Sequence, residues 1–509
     1  MSTTSWNFPL SPSDESNAAL VANVHPGDWV NPEPEPLYNL VVIGAGTAGL
    51  ISAIGAASLG GKVALVERHL MGGDCLNVGC VPSKALIRSS RAAYQAANGH
   101  VFGLASRQVD ATEFAGVMAR LRAVRAGISK NDSAARYADM GVQVFLGEAS
   151  FVDAHSVRVG EKLLRFRKAI IATGARAISP DIPGLAQAGF MTNESVFNLT
   201  ELPKRLAVIG GGPIGCELAQ AFRRFGAEVA IIELSRFLPR EDPDASALLA
   251  SVFEREGLTV MLESKPLKVE SGSYGKRITV QTPGGAEVVE VDEILIGAGR
   301  KPNVEGMGLE QAGVDYDTRL GVKVDDFLRT SNPAVFAAGD VCMAWKFTHA
   351  ADAAARIAIQ NALFGGKKRL SALTMPWCTY TDPEIAHVGM YEAEAKAKGI
   401  ETVSYKVDLA DNDRAVADGE ADGFVKITVR KGSDAIIGAT IVAAHAGDLI
   451  SEVSVAMAGK LGLKAMNDII HPYPTQADAI KRTAGAYNRT RLTPRVAKLL
   501  KWLLRRQLR

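Results

Sequence analysis

The sequence predicts an α/β fold: two Rossmann-like units in series, then a smaller α+β region. Three observations predict it. Residues 37–67 run strand, GxGxxG, helix, strand, acid. Residues 205–233 repeat that order around a second glycine-rich turn. From about residue 374 the pattern changes to short strands alternating with helices. In each of the first two segments the glycines permit a tight turn and close approach of a pyrophosphate to a helix N-terminus. The terminal acid accepts a ribose hydroxyl. Two such units imply two different dinucleotides in one chain.

Length and composition agree. A chain of 509 residues is too long for one core and implies about three domains. Apolar content of 47% and charged content of 22% are ordinary for a globular protein. The net charge of +2 gives no overall pull toward nucleic acid, and no nucleic-acid partner is expected. Five cysteines argue against a secreted disulfide framework. Cys216, Cys342 and Cys378 are widely spaced and read as small buried residues. No metal-ligand cluster is expected. The N-terminus has neither a basic start nor a long apolar run, and no membrane span is visible, so a cytoplasmic enzyme is the default.

Residues 1–36, rich in Pro, Ser, Glu and Asn, read as a flexible leader without a fold. The first unit follows. Its first strand ends at Ile43, its turn is Gly44-Ala45-Gly46-Thr47-Ala48-Gly49, and its second strand ends at Glu67. Next comes Gly72-Gly73-Asp74-Cys75-Leu76-Asn77-Val78-Gly79-Cys80-Val81-Pro82-Ser83-Lys84. Two cysteines stand five positions apart on a glycine-rich turn that leads into a helical pattern from Lys84. A helix start lowers a thiol pKa. Lys84, one turn after Cys80, adds charge on the same face. The pair reads as a redox-active disulfide exchanging electrons with a flavin; the blander reading is two structural thiols. Residues 85–140 are Ala- and Arg-rich helical stretches, and residues 141–151 return to strand. The second unit places its turn at Gly210-Gly211-Gly212-Pro213-Ile214-Gly215 and its acid at Glu233. A carboxylate there accepts the 2′-hydroxyl of NAD and repels a 2′-phosphate, which favours NADH, although Arg236 nearby leaves NADPH open.

The segment 72–84, with both glycine motifs, resembles the active-site region of class I pyridine nucleotide-disulfide oxidoreductases. That family includes dihydrolipoamide dehydrogenase, glutathione reductase and mercuric reductase, and the chain is most similar to the mercuric reductase side. The resemblance implies an FAD-binding domain at 37–195 and 301–373, an NAD(P)-binding domain at 196–300, and a dimerisation domain at 374–486. The partners are then a second copy of the chain and a small-molecule or metal-ion acceptor. FAD would meet Gly44, Gly46, Thr47, Gly49, Glu67, Gly73, Lys84, the backbone near Ala149, the Ala172-Thr173-Gly174 turn, Asp340 and the backbone of Thr348. NAD(P)H would meet Gly210, Gly212, Gly215, Glu233 and Gly299. Glu217 would pair with Lys84 beside the flavin. Cys80 would lie nearer the ring, with Cys75 as the exchange thiol. His349 starts a helix, where a capping or flavin-edge role and a catalytic one stand level.

One departure bears on the acceptor. Dihydrolipoamide dehydrogenases and glutathione reductases carry a His–Glu base near the C-terminus. Here Tyr473 holds the histidine's place and Asp478 the glutamate's, while His471 stands two residues earlier. An unperturbed Tyr pKa near 10 is too high for an efficient base. Mercuric reductases also have Tyr at this point, but they use a C-terminal cysteine pair, and no cysteine follows Cys378 here. The expected activity is hydride transfer from NAD(P)H through FAD and Cys75–Cys80 to an electrophile. The alternatives are a dihydrolipoamide dehydrogenase-type disulfide reductase and a low-turnover redox sensor. Residues 487–509 form a basic amphipathic tail, with a helix expected from Pro494. It suits either an anionic membrane surface or the protein's own dimer.

Overall fold

The computed structural model describes residues 10–108, 110–272 and 275–508. The first nine residues of the expected leader and Arg509 of the tail lie outside them. The chain divides into two compact units. Of the described residues, one unit comprises those within 10–98, 106–234 and 261–373; the other comprises 99–105, 235–260 and 374–508.

In the first unit, strand Tyr38–Ile43 lies between Val63–Glu67 and Lys162–Ile171, parallel to both. Val142–Leu146 extends the sheet parallel to Val63–Glu67. Ser156–Val159 and Ala149–Asp153 continue it antiparallel beyond Lys162–Ile171. Val63–Glu67 is buried throughout, and so are residues 40–43 and 169–171, as parallel strands covered on both faces must be. Helices Thr47–Ala57 and Thr348–Phe364 pack on each other, and the small residues Ala53, Ala354 and Ala355 are buried. A second parallel sheet centres on Arg205–Ile209, flanked by Glu228–Ile232 and Glu293–Ile296. The helix Pro213–Arg224 follows its glycine turn.

The C-terminal unit carries a five-stranded antiparallel sheet in the order Pro376–Thr379, Glu384–Gly389, Ile436–Ala443, Phe424–Arg430, Thr402–Asp408. Helices Ala446–Ala458 and Asp478–Thr490 cover it, burying Ile450, Val453, Ala479 and Ile480.

Two expectations change. First, the leader is not without a fold. Glu15–Val24 is a helix, capped by the Asp14 carboxylate accepting from the Asn17 amide at 2.8 Å. Leu20 and Val24 are fully buried. The polar composition hid a short apolar stripe and a good N-cap. Beyond the helix, Trp29 Nε1 donates to the Val144 carbonyl at 3.2 Å and Asn31 Nδ2 to the Leu146 carbonyl at 2.9 Å. Second, residues 196–300 are not one compact piece, because 235–260 belongs with the C-terminal unit. The reason is polar. The buried Glu241 carboxylate accepts from Trp377 Nε1 at 3.1 Å and from the Tyr391 hydroxyl at 2.8 Å. Lys426 Nζ donates to Asp242 and Asp244, both at 2.8 Å.

Arg125 ties the N-terminal helix to the cysteine segment. It is 1% exposed, donating to the Asn17 side chain at 2.6 Å and to the Asn77 carbonyl at 2.8 Å. Its neighbour Arg122 pairs with Asp14 at 2.5 Å. Arg125→Ala strands two buried acceptors, a loss of about 2 kcal/mol. Limited proteolysis of that variant is expected to cleave before residue 36 faster than in the parent. An unchanged digestion rate would show that the clamp carries no weight.

Candidate active site

The helix after the cysteine segment begins at Cys80 and runs to Ala97, four residues earlier than the sequence pattern suggested. Pro82 lies in the first turn, where proline is tolerated because its missing N–H has no intrahelical partner anyway. Cys75 lies in the preceding short helix Gly73–Asn77. The Asn77 side chain holds that turn, donating to the carbonyls of Gly73 at 2.9 Å and Met71 at 3.1 Å.

Cys80 is exposed, Cys75 partly buried, and both are thiols. A hydrogen bond joins them, and its effect is opposite on the two. That bond, then burial, pushes Cys75 well above the ordinary thiol range. Cys80 is lowered, first by the same bond and further by the Thr348 hydroxyl and the Lys84 charge, against burial and Glu217. The Cys80 sulfur lies 3.1 Å from Thr348 Oγ1. Thr348 is the first residue of its own helix, so two helix N-termini meet at this sulfur. The resemblance implied only a backbone role for Thr348; its side chain was missed. His349 is the second residue of that helix, its ring stacked on Phe347 at 5.4 Å.

Lys84 Nζ reaches Glu217 Oε2 at 2.7 Å. Glu217 is 6% exposed, on the helix Pro213–Arg224 of the second glycine unit. Arg300, which no motif flagged, bridges three groups. It ion-pairs with Asp74, stands 3.5 Å from Asp340, and donates to the Ala175 carbonyl at 2.6 Å. Burial raises the Asp340 carboxyl, and Arg300 opposes that shift. The signal for Arg300 was its place directly after Gly299.

The two glycine turns fit dinucleotides. Gly44 has φ +99, and a Cβ there would stand 2.4 Å from the Ala172 carbonyl oxygen. A Cβ on Gly73 would stand 2.6 Å from the Gly46 Cα. Gly49 crosses against the Gly44 carbonyl, where a Cβ would stand 1.7 Å away. Gly46 caps the helix Thr47–Ala57 with no side chain and no acid in the first turn, so its amides face the cradle uncapped. The second unit matches. Gly210 has φ +112, Gly215 crosses the Gly210 carbonyl, and Gly212 caps its helix. Both terminal acids are occupied with their own turns. Glu67 accepts from the amides of Ala45 and His69, both at 2.7 Å, and burial raises its carboxyl. Glu233 accepts from the Gly211 amide at 2.7 Å. The Thr173-Gly174 turn is latched by Asn303, whose Nδ2 donates to the Thr173 carbonyl at 2.9 Å. Gly299 has φ +116, and Ala149 opens the strand Ala149–Asp153, partly buried.

The C-terminal candidates do not assemble as a base. Tyr473 is 71% exposed, and its hydroxyl donates to Asp413 at 2.8 Å. That bond, then the Asp413 charge, raises its pKa further. Asp478 pairs instead with Arg482, one turn along its helix, at 2.6 Å. Tyr473 and Asp478, which hold the places of the family's His and Glu, thus each have a different partner. His471 Nε2 stands 2.8 Å from Glu452, with its side chain only 6% exposed. Among the described residues no group of three or more His, Cys, Asp or Glu could hold a metal ion.

Two dinucleotide cradles flanking a polarised dithiol define a flavin-dependent oxidoreductase. The chain belongs to the pyridine nucleotide-disulphide oxidoreductase family, whose first domain matches residues 38–355 and whose dimerisation domain matches residues 375–484. It is an enzyme that uses FAD and NAD(P)H, and the second domain supports a homodimer. Mercuric reductase of Staphylococcus aureus is 34% identical over 89% of this chain and 83% of that protein. Dihydrolipoyl dehydrogenase of Bacillus subtilis is 36% identical over 87% of this chain and 95% of its own. The HOCl-induced flavoprotein disulfide reductase RclA of Escherichia coli has a similar structure. Its TM-score is 0.79 at 28% identity, covering 88% of this chain and 99% of that one. RclA has also been solved as a Cu(II) complex. Among the described residues no helix is long and apolar enough to cross a membrane.

The polarised pair predicts a pH profile. Alkylation of Cys80 by iodoacetamide is expected to remain fast near neutral pH, where an ordinary thiol of pKa about 8.5 is mostly protonated. Lys84→Met and Thr348→Val should each move that profile upward, because each removes a group that lowers the Cys80 pKa. Profiles that coincide in parent and variants would contradict the assignment.

Proposed function

We propose that this enzyme is an NADH-dependent reductase of a soft metal ion, working through FAD and the Cys75–Cys80 pair. The observation that carries this reading is Tyr473. It is exposed, bound to a carboxylate, and shifted away from any role as a base at neutral pH. Dithiol substrates need a base to deprotonate them; metal ions do not. The names of the Staphylococcus aureus relative and of the RclA Cu(II) complex support the same class. Glu233 supports NADH, because its carboxylate would repel a 2′-phosphate.

FAD held at the first glycine turn would supply the relay by which the two electrons and one proton of an NADH hydride reach the cysteine pair. The S–S bond breaks, and the polarity of the pair decides where the proton goes. Cys75 keeps it as a thiol, and Cys80 stays as the thiolate stabilised by Thr348 and Lys84. Two electrons then pass to the metal: one Hg(II) ion takes both, or two Cu(II) ions take one each. The disulfide re-forms and the Cys75 proton leaves. Asp340, Arg300 and Asp74, joined by ion pairs, would form a charged wall of the flavin cradle. Glu217 holds the Lys84 ammonium beside Cys80.

A second reading, dihydrolipoamide exchange, draws on the His471–Glu452 pair. The near-complete burial of the His471 side chain counts against it. An acceptor panel separates the two readings. Metal-dependent NADH oxidation is expected to exceed dihydrolipoamide turnover, and NADH to reduce the flavin faster than NADPH. Tyr473→His is expected to raise dihydrolipoamide turnover, general-base catalysis being worth on the order of 10²–10⁴ in rate. Strong dihydrolipoamide turnover in the parent, abolished by His471→Asn, would replace the first reading with the second.

A further inference from the structure

We infer that the C-terminal helix Pro494–Gln507 binds an anionic lipid surface and carries the enzyme to it. None of the helix's residues is buried. Leu499 is 55% exposed, Trp502 53% and Leu504 61%. The helix is nonetheless well built. Thr493 Oγ1 accepts from the Val496 amide at 3.4 Å, and Pro494 occupies the first position. At 100° per residue, Val496, Leu499, Leu500, Leu503 and Leu504 form one apolar stripe. Lys498, Lys501 and Arg505 fall on the opposite side. Trp502 flanks the boundary, with the Arg506 guanidinium 5.6 Å from its ring centroid. An aromatic ring beside a cation at the edge of an apolar stripe is the arrangement that suits a membrane interface.

Charge selects the occupant. Residues 489–509 carry eight Lys or Arg and no acid. A second copy of this segment would cover the stripe but bring eight more cations and no acid to compensate them. An anionic bilayer offers both, apolar depth for the stripe and negative charge for the cations of the segment. The length agrees. Fourteen residues at 1.5 Å each span about 21 Å, enough to lie flat and too short to cross the roughly 30 Å hydrocarbon core. The matched dimerisation domain ends at residue 484, so the helix follows it in the chain.

Sedimentation of the full-length holoenzyme with vesicles tests this. The protein is expected to pellet with phosphatidylcholine vesicles containing phosphatidylglycerol, and not with phosphatidylcholine alone. High salt should release it. The triple variant Lys498→Gln, Lys501→Gln, Arg505→Gln should partition about a hundredfold more weakly, given the contribution of each cation near an anionic surface. Leu499→Ser with Leu503→Ser should also lose binding, while NADH reduction of the flavin stays at the parent rate in both variants. Absence of pelleting with the anionic vesicles at low salt would overturn the inference. So would equal binding by the triple variant. A helix that instead docks on the dimer would leave vesicles unbound and alter dimer stability in the serine variant, and that outcome also overturns it.

Discussion

The arrangement depends on one half-buried ion pair. Glu217 sits almost fully buried on the helix of the second dinucleotide unit, 2.7 Å from Lys84. A carboxylate stranded there without its ammonium would be costly, so the two helices that carry the pair are held in register. Lys84 lies one turn after Cys80 on the same helix. Fixing Lys84 therefore fixes the thiol. The cysteine segment is held from its other side by Asn77 and Arg125, and through Arg125 by the N-terminal helix.

The site then works by asymmetry. Two neighbouring thiols share a hydrogen bond, and their surroundings decide which carries the charge. Thr348, Lys84 and a helix N-terminus gather at Cys80, while Cys75 sits deeper on a short turn. A pair polarised in this way stores one hydride equivalent as a thiol and a thiolate. The C-terminal unit has no comparable polarity at its exposed tyrosine. Tyr473 donates to Asp413, so its neighbour strengthens the neutral form. This contrast between a charged redox pair and an inert tyrosine is the physical basis for proposing a metal ion, rather than a dithiol, as acceptor.

Much of the site was legible because its determinants are local. The glycine turns need positive φ and close backbone crossings, and glycine at fixed spacing announces both. The cysteine pair and Lys84 lie within ten residues of one another. What escaped the sequence is contact between distant residues. Nothing near Arg300 says that it meets Asp74 and Asp340, and nothing near Tyr473 says that its hydroxyl finds Asp413, 60 residues away. The leader helix escaped for a different reason. Its Pro- and Ser-rich flanks dominate the composition, whereas its stability comes from Leu20 and Val24 packing into a core the sequence does not display. The boundary within residues 196–300 failed likewise, since Glu241 and Asp242 belong by their hydrogen bonds to the C-terminal sheet.

Cys80 is proposed as the charged thiol that faces the flavin, and Cys75 as the exchanging one. Long-wavelength absorption from a thiolate lying against bound flavin reports this directly in the holoenzymes of Cys75→Ser and Cys80→Ser. The account predicts the band in Cys75→Ser, persisting as the pH is lowered through neutrality, and no band in Cys80→Ser. A band in Cys80→Ser and none in Cys75→Ser would contradict it.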